Sequence, residues 1–241
     1  MTRLARPSAH LAVAVVPAGG SGARMRSRRP KQYLALGGAP LLVRTLRALL
    51  QSELIEGLVL AVPADRIAAT RRLLHRYRVP RVLEVVAGGA ERQESVWRGL
   101  QVLSETTRWV VVHDAVRPFV TGELVRRVLA AARRHGASTC GLAVRETVKR
   151  VSEETVESTV DRDGLWLIQT PQAFSRELLW EAHEKARRDG FLGTDDAVLV
   201  ERLGGHVAVV PGLPQNLKLT TPDDLKVARL WLGRSRTRSR S

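Results

Sequence analysis

The sequence has a single cysteine among its 241 residues, Cys140. One cysteine excludes an internal disulfide and a zinc site built from several cysteines. Cys140 lies in a Ser-Thr-Cys-Gly stretch, and nothing near it in the sequence would lower its pKa. We therefore expect a small buried residue and not a catalytic thiol.

Long apolar runs are absent as well. No run approaches the roughly 18 to 20 residues that a bilayer-spanning helix needs. The apolar stretch 11–18 passes directly into glycines, which is typical of a buried strand and not of a secretory leader. We expect a soluble, cytoplasmic protein without a membrane partner. Aromatic residues make up only 4% of the chain, which leaves little material for stacking on nucleic-acid bases.

Acidic residues are too few to balance the basic ones, and the formal net charge is +15. Such a charge raises the hypothesis of a polyanion-binding protein. Six of the cations lie in the end segments, at Arg3, Arg6 and along the Arg/Ser/Thr run 234–241, which we expect to be a disordered tail. Five more lie in the short segment 24–31. Because the excess is concentrated in a tail and one loop, we expect no specific nucleic-acid partner.

What the sequence does contain is an alternation of strand-like and amphipathic helical stretches. Strands are predicted at 13–16, 58–62, 82–86 and 109–112, and helices at 41–50, 67–77, 93–103 and 124–134. This order predicts an α/β domain with a mostly parallel sheet and helices on both faces. Ligands of such sheets bind beyond the carboxyl ends of the strands, so the loops after Val16, Val86 and Val112 should share one face.

The alternation changes after Gly141. Residues 145–160 predict an exposed β-hairpin, an arm that needs a packing partner such as a second subunit. Further elements are predicted as helices at 176–188 and 195–203, a strand at 206–210, a short strand near 217–219, and a last helix over 222–232 that Thr221 caps.

The most informative segment follows the first strand. It reads Val-Pro-Ala-Gly-Gly-Ser-Gly-Ala-Arg-Met over 16–25, and Pro-Lys-Gln-Tyr-Leu follows at 30–34. Glycines let backbone N–H groups approach phosphate oxygens, and Arg24 and Lys31 add positive charge where a pyrophosphate would leave. Glycines alone would equally suit a tight turn, and the spacing matches neither a Walker loop nor the dinucleotide-binding motif.

The full string resembles the 2-C-methyl-D-erythritol 4-phosphate cytidylyltransferase family, which uses CTP in the non-mevalonate isoprenoid pathway. The family pattern, close to P-A-A-G-x-G-x-R-M and then P-K-Q-Y, is present with Gly19 in place of the commoner alanine. The resemblance implies a single Rossmann-like (GT-A-like) nucleotidyltransferase domain over 1–233, with a mostly parallel mixed sheet and a dimerisation β-arm at about 145–165. The residues it assigns to nucleotide binding in this loop are Ala18, Gly19, Gly20, Ser21 and Gly22.

The segment 88–96 resembles the family's G-G-x-x-R-x-x-S-V pattern. The resemblance implies that the backbone of Gly89 and the side chain of Ser95 contact the nucleotide base, although Ala90 replaces an aspartate of some members. From the sequence alone, an ordinary helix cap is the alternative.

The segment 113–118, His-Asp-Ala-Val-Arg-Pro, resembles the family's H-D-[AG]-[AV]-R-P. An aspartate at the end of a strand is well placed for Mg²⁺, so Asp114 is the metal candidate. The resemblance also assigns Asp114 to nucleotide and substrate binding, Ala115 to nucleotide binding and Arg117 to substrate binding. Arg117 could instead contact the nucleotide or fix Asp114.

The arm carries two segments, 145–150 and 161–166, that resemble family motifs, and 169–172 resembles a third. The resemblance implies that the arm reaches across a dimer and that Thr147 and Arg162 bind the substrate of the partner's site. A guanidinium suits a phosphate dianion, but the sequence alone would make Arg162 a surface residue. Thr170 is likewise assigned to the substrate.

Two residues near the C-terminus complete the predicted site. Thr194, in Thr-Asp-Asp-Ala, is either a helix N-cap or, by resemblance, a contact for a substrate hydroxyl. Lys218, in Asn-Leu-Lys-Leu-Thr, would neutralise the substrate phosphate, whereas a lone lysine is otherwise solvated.

These assignments predict transfer of CMP from CTP to 2-C-methyl-D-erythritol 4-phosphate, with release of pyrophosphate. The acceptor phosphate would attack the α-phosphorus in line, aided by Mg²⁺ and without a strong general base. The predicted catalytic cations are Arg24, Lys31, Arg162 and Lys218. Two alternatives stay open at this point: a ribitol-5-phosphate cytidylyltransferase, whose family shares the glycine loop, and a non-enzymatic polyanion-binding protein.

Overall fold

The computed structural model describes residues 10–19 and 30–238, with side chains through Gly233. The strands are β1 (Ala12–Pro17), β2 (Ala35–Leu36), β3 (Ala39–Pro40), β4 (Ile55–Val62), β5 (Val82–Ala87), β6 (Trp109–Val112), β7 (Ala137–Ala143), β8 (Val148–Ser152), β9 (Thr155–Val160), β10 (Trp166–Ser175) and β11 (Val207–Pro211). The helices are α1 (Leu41–Leu49), α2 (Ile67–Arg76), α3 (Arg92–Leu100), α4 (Gly122–His135), α5 (Arg176–Arg188), α6 (Ala197–Arg202) and α7 (Pro222–Arg238).

Seven strands form the central sheet, in the order β11-β7-β10-β6-β1-β4-β5. Within this described sheet β10 alone is antiparallel to its neighbours, β6 and β7. The other adjacent pairs are parallel. The predicted mostly parallel mixed sheet is confirmed.

The first strand explains why helices cover both faces of the sheet. β1 is apolar and buried at every position. Successive side chains of a strand point to opposite faces, so Ala14 and Val16 pack with α1, α2 and α4, while Val13 and Val15 pack with α3, α5 and α6. A strand that is apolar on both sides needs cover on both sides. The predicted three-layer arrangement follows from this pattern.

A smaller apolar cluster joins the last helix to the rest of the domain. We call it the C-terminal cluster; its buried members are Leu36, Leu41, Val116, Leu219, Leu225 and Ala228. The N-terminus of α7 is capped by Thr221, whose hydroxyl accepts the N–H of Asp224 at 3.2 Å. The predicted cap is confirmed.

The predicted arm is present as the antiparallel hairpin of β8 and β9. Its turn residues, Glu153 and Glu154, both have positive φ, +46° and +64°, the backbone twist that favours two-residue hairpin turns. Val151 and Val156 remain more than half exposed in the single chain. The hairpin is confirmed, and its role in dimerisation stays a prediction.

The sequence pattern does not predict two strands of the central sheet, β7 and β10. β7 is rich in small and polar residues, and β10 contains Gln169, Thr170, Pro171 and Gln172, a composition typical of loops. The register of β10 against β7 shifts between Gln169 and Ala173. Pro171 lies in this irregular stretch, where a missing N–H donor disrupts no regular ladder.

One other expectation is wrong. Residues 217–219 form no strand; Leu219 donates one hydrogen bond to the carbonyl of Val116, and its side chain packs in the C-terminal cluster, which explains the alternating leucines. The last helix, α7, continues to Arg238, so the backbone of 234–238 is helical here, and the expected disorder of the tail stays a prediction. Arginine is a good helix former, and no proline or glycine follows Gly233. Residues 239–241 lie outside the described part.

No helix in the described part of the chain combines the length and the apolarity needed to cross a membrane.

Candidate active site

A cleft of about 370 Å³ opens where β1, β5 and β6 end. We call it the strand-end cleft. It is lined by Pro17, Ala18, Gly19, Lys31, Gln32, Gly89, Ala90, Glu91, Arg92, Ser95, Asp114, Ala115, Val116 and Lys218. The loops after the three strands therefore share one face of the sheet, as the sequence predicts.

The start of the glycine loop is fixed by two hydrogen bonds. Ala18 donates its N–H to the carbonyl of Ala61 at 2.7 Å, and the buried side chain of Gln32 donates from Nε2 to the carbonyl of Ala18 at 2.5 Å. The second bond ties the loop to the segment that carries Lys31. The predicted residues Gly20, Ser21, Gly22 and Arg24 lie outside the described residues.

Residues 88–95 form another wall of this cleft. The buried Ser95 hydroxyl accepts the N–H of Gly89 at 3.1 Å and donates to the carbonyl of Glu91 at 3.1 Å. A Cβ on Gly88 would lie 2.9 Å from the same hydroxyl oxygen, so this close packing favours glycine. Ser95 therefore orders the loop. The carbonyl oxygen of Gly89 lies 3.8 Å from the point that a Cβ of Gly19 would occupy.

Asp114, just after β6, is held by three cations. Its Oδ1 accepts from Nε of Arg92 at 3.1 Å, while Oδ2 lies 2.9 Å from Nζ of Lys218 and 3.6 Å from Nε of Arg117. Its side chain is 8% exposed. Burial alone would raise the pKa of Asp114, but the three cations outweigh burial and hold the pKa far below its usual value. Asp114 is therefore ionised at neutral pH.

Arg92, the first residue of α3, bridges two buried carboxylates. Besides Asp114, its Nη1 donates to Oδ2 of Asp196 at 2.6 Å. Burial opposes the charge of Arg92, but Asp196 and Asp114 together raise its pKa above the ordinary value. Asp196 also accepts from Nε2 of His183, at 3.1 Å, and both side chains are buried. Arg92 thus connects the cleft to the packed interior.

His113 is buried, and its burial is the main cause that lowers its pKa to about 4. The neutral ring donates from Nε2 to the carbonyl of Arg117 at 3.1 Å, because a carbonyl can only accept. Nδ1 then accepts from the Thr170 hydroxyl at 3.1 Å, and the same hydroxyl accepts the N–H of Asp114 at 3.0 Å. This chain of bonds fixes the backbone of Asp114.

A second cleft of about 380 Å³ lies along β10 and the start of α6. We call it the β10 cleft. It is lined by Arg92, Asp114, Arg117, Ile168, Gln169, Thr170, Gln172, Thr194, Asp195, Val198, Glu201 and Lys218. Arg92, Asp114 and Lys218 line both clefts. We call these three side chains the shared wall, because ligands in the two clefts would meet there.

Thr194 lines the β10 cleft and has an exposed side chain. Its predicted role as a helix cap is wrong, because α6 starts later than expected and the N–H of Val198 donates to Oδ1 of Asp195 at 3.1 Å. The other oxygen of Asp195 accepts from Gln172 at 2.6 Å. The contact with a substrate hydroxyl that the resemblance assigns to Thr194 stays a prediction.

Arg117 is buried beside Asp114 and donates from Nη1 to the carbonyl of Asn216 at 2.7 Å. It also lines the β10 cleft. Of the roles considered for it, fixing Asp114 matches this geometry. The bond to Asn216 also holds the segment that carries Lys218.

The two predicted residues of the arm are placed differently. Thr147 and Arg162 are exposed, and neither lines the strand-end cleft or the β10 cleft of its own chain. The guanidinium of Arg162 donates to the carbonyl of Arg145. The structure therefore brings Lys31, Lys218 and Asp114 together, but not the arm residues.

Two further expectations concern a metal and the cysteine. The described residues contain no group of three or more His, Cys, Asp or Glu side chains that could hold a metal ion. Asp114 is thus a single carboxylate that already has cationic partners. Cys140 is buried, and burial raises the pKa of its thiol to about 12. The expectation of an unreactive buried cysteine is confirmed.

Sequence reasoning missed four polar residues that organise the site. Gln32 donates to the glycine loop, and Asn216 donates to the carbonyl of Thr170 at 2.7 Å. Arg92 donates to Asp114 and is itself paired with Asp196. Each lies within a segment that carries a family motif or next to one. The sequence marks these four residues only as polar neighbours of assigned residues. The fold is needed to show which of their side chains point inward.

A mostly parallel sheet with glycine-containing loops and cations at its strand ends is typical of an α/β protein that binds nucleotides. The family model for 2-C-methyl-D-erythritol 4-phosphate cytidylyltransferase (IspD) matches residues 12–234. The chain belongs to this family.

Individual relatives agree with this assignment. A 2-C-methyl-D-erythritol 4-phosphate cytidylyltransferase of Syntrophus aciditrophicus is 49% identical over 222 residues, which cover 91% of this chain and 95% of that one. The crystal structure of the enzyme of the same name from Thermus thermophilus superposes with a TM-score of 0.77 at 36% identity, covering 92% and 99%. A 4-diphosphocytidyl-2C-methyl-D-erythritol synthase from Anaerococcus prevotii reaches a TM-score of 0.80 at 31% identity, covering 92% and 96%.

These matches confirm the predicted family and fold, and with them a cytidylyltransferase of isoprenoid synthesis. They do not favour the ribitol 5-phosphate alternative or a non-enzymatic polyanion-binding protein.

Proposed function

We propose that this chain transfers CMP from CTP to 2-C-methyl-D-erythritol 4-phosphate, with CTP in the strand-end cleft and the acceptor in the β10 cleft. The observation that carries this assignment is the shared wall, where Arg92 and Lys218 face both clefts. A transfer between two phosphates needs both anions at one point, beside cations. The proposed location of the reaction is the cytoplasm.

The triphosphate would lie on the glycine loop, with Lys31 beside it. Ala18 and Gly19 line the cleft in the described part, and Gly20, Ser21, Gly22 and Arg24 extend the same loop in sequence. Backbone N–H groups and cations together suit a triphosphate.

The cytosine would lie against residues 88–95, where recognition comes from the backbone. The N–H of Gly89 is already bonded to Ser95, so the carbonyl of Gly89 is the group offered to the base. The exocyclic amino group of cytosine is a donor, which matches a carbonyl acceptor. Ser95 then acts by shaping the loop.

The acceptor phosphate would lie at Lys218, with its carbon chain in the β10 cleft toward the exposed hydroxyl of Thr194. We further propose that the arm of a second subunit supplies Arg162 and Thr147. This is supported by the exposed apolar residues at the base of the arm, among them Leu167 at 63% exposed and Ile168 at 41%. Ile168 also lines the β10 cleft, so a homodimer contact there would close the acceptor site.

The chemistry needs no strong base in this chain. One oxygen of the acceptor phosphate attacks the α-phosphorus of CTP, the bond to the β-phosphate breaks, and pyrophosphate leaves. A phosphate monoester is already a dianion for the most part near neutral pH. His113 is buried with a pKa of about 4, and Cys140 has a pKa of about 12, so neither is suited to this role. The cations Lys31 and Lys218 stabilise the charge that moves from one phosphate to the other.

We place Mg²⁺ with CTP as part of the substrate and not as a resident ion. Both carboxylate oxygens of Asp114 already interact with cations. Asp114 would therefore provide at most one ligand to the ion, and phosphate oxygens of CTP would provide most of the others. When bound, such an ion neutralises triphosphate charge. The positioning of the anions depends on the side chains of the protein.

Pyrophosphate release with CTP and methylerythritol phosphate tests this function. The Lys31→Ala variant should lower kcat by about 10²- to 10³-fold, because it removes one charge-stabilising contact. Lys185→Ala is the matched control, since Lys185 pairs with Asp189 on the surface. Wild-type kcat in Lys31→Ala would contradict the role of Lys31, and no release by the wild type would contradict the function. Ribitol 5-phosphate as acceptor should give at most a small fraction of the rate.

A further inference from the structure

We propose that Arg92 is a positioning residue for the transfer, which sets Lys218 at the shared wall through Asp114 and is itself anchored by Asp196. The inference rests on the proposed function, because it concerns how the attacking phosphate is held.

The contacts form a single chain from the surface to the interior. Nζ of Lys218 lies 2.9 Å from Oδ2 of Asp114, Oδ1 of Asp114 lies 3.1 Å from Nε of Arg92, and Nη1 of Arg92 lies 2.6 Å from Oδ2 of Asp196. The last link joins Oδ1 of Asp196 to Nε2 of His183 at 3.1 Å. Along this series of contacts, Asp114, Arg92 and Asp196 each use a different atom for each of their two neighbours; Oδ2 of Asp114 also lies 3.6 Å from Nε of Arg117.

The two ends of this series of contacts, Lys218 and Asp196, differ in how freely their side chains can move. The side chain of Lys218 is 39% exposed on a flexible stem, whereas that of Asp196 is 1% exposed. The backbone N–H of Asp196 also donates to Oε1 of Gln172 at 3.2 Å. Asp196 is therefore the fixed end, and Lys218 is the end that needs direction.

A planar guanidinium is suited to the place between them. Its N–H groups point in fixed directions, so Arg92 orients two carboxylates at once, which an ammonium group cannot do equally well. The three cations Arg92, Arg117 and Lys218 face the two carboxylates Asp114 and Asp196, which leaves one net positive charge at the wall for the incoming phosphate.

Asp196 gives the decisive test, because it lines neither cleft while Arg92 lines both. The carboxylate of Asp196 contacts Arg92 and His183, and of these two Arg92 lines the clefts, so we expect the loss of the carboxylate charge to reach the transfer step through Arg92. Asp196→Asn keeps the size of the side chain but removes its charge. We expect kcat to fall by about 10-fold, since small misplacements of reacting groups are costly. The dissociation constant of CTP, measured by calorimetry, should change by less than about twofold.

Arg92→Lys keeps the charge but can hold only one carboxylate well, and we expect kcat to fall by about 10- to 100-fold. Adding Asp196→Asn to Arg92→Lys should lower kcat little further, because Arg92→Lys has already broken the same series of contacts. Asp189→Asn is the matched control, since Asp189 also pairs with two cations, Lys185 and Arg202, but lines neither cleft. It should leave kcat unchanged.

Three results would overturn the proposal: wild-type kcat in Asp196→Asn, full multiplication of the two effects in the double variant, or a loss of CTP affinity as large as the loss of kcat. Circular dichroism establishes that each variant is folded. If Asp196→Asn does not fold, Arg92→Gln decides, because a wild-type kcat there also overturns the role of Arg92. A wild type without transfer activity would instead contradict the proposed function itself.

Discussion

The shared wall and the arm each carry a cation that is predicted to bind the substrate phosphate, but the two cations differ in how firmly their own chain holds them. Lys218 lies against Asp114, a buried carboxylate that two arginines also hold. Arg162 is exposed on a projecting segment, with the carbonyl of Arg145 as its partner. Lys218, which the interior of its own domain holds in place, is oriented before substrate binds. Arg162, on the projecting arm, is oriented only when the arm packs against another surface. One half of the site is thus preorganised by one chain, and the other half depends on a second surface.

Mixing two inactive variants tests whether the arm of one subunit completes the site of the other. Lys218→Ala and Arg162→Ala should each lower kcat/KM by about 10²- to 10³-fold, because each removes a charge at the transferring phosphates. A mixed dimer of the two has one site with both residues intact if the arm serves the partner. Co-refolded, equimolar variants should therefore recover about a quarter of the wild-type activity. No recovery would mean that Arg162 acts in its own chain or that the arm does not cross.

The neutral imidazole behind the wall gives a prediction on stability. The pKa of His113 is about 4 when folded and near 6.5 when unfolded, so the unfolded chain binds more protons between these values. The contribution of His113 to the free energy of unfolding is complete above about pH 6.5, and roughly 2 to 3 kcal/mol of it is lost as the pH falls toward 4.

Urea unfolding of the wild type and His113→Gln at pH 7 and pH 4.5 measures this loss as a difference in pH dependence. The charge of Asp114 does not interfere, because its pKa is lowered and its own transition lies below this range. Equal pH dependence in both proteins would contradict a buried neutral His113. The arm segment 145–165 has no histidine, so it should add nothing to the difference.

The exposed half of the site is tested at the base of the arm. Leu167→Glu places a charge at a residue that is 63% exposed in the single chain and that we expect to be covered in the dimer. The dimer dissociation constant should rise by at least about tenfold, because burying an unpaired charge is costly. Sedimentation velocity measures it. Leu230→Glu on α7, at a residue 69% exposed, is the control, and an equal effect of both would rule out a specific interface at Leu167.

The smallest expected effect separates two neighbours in the β10 cleft. Thr194→Val removes one exposed hydroxyl and should raise the KM for the acceptor by about 2- to 10-fold without changing the melting temperature. Asp195→Ala removes the carboxylate that accepts the N–H of Val198 in the first turn of α6 and should cost about 1 kcal/mol of stability. Acceptor kinetics and thermal melting distinguish these results. A lower melting temperature in Thr194→Val would restore the capping role to Thr194.

The part of the fold that follows from hydrophobic pattern is predictable from the sequence. The predicted positions of β1 and α5 agree with the structure, because the burial of their residues follows an unbroken local pattern of apolar side chains. β10 has no such local pattern, since the buried amides of Gln169 and Gln172 are satisfied by hydrogen bonds to Leu213 and Thr139, which lie elsewhere in the chain. The candidate site divides in the same way: Asp114 and Lys218 carry motif signals, whereas the partnership of Arg92 with Asp196 spans elements that only the fold brings together.

The C-terminal cluster has a consequence for the timing of synthesis. Leu36 and Leu219 lie close in sequence to Lys31 and Lys218, and both belong to the cluster that contains Leu225 and Ala228 of α7. Lys31 leaves the ribosome early, but the helix that covers its neighbourhood is translated after every strand of the central sheet. We therefore expect a nascent chain stopped before Pro222 to form its sheet yet expose these leucines, a hazard for aggregation during synthesis. Completion of the last helix is then the event that ends this exposure.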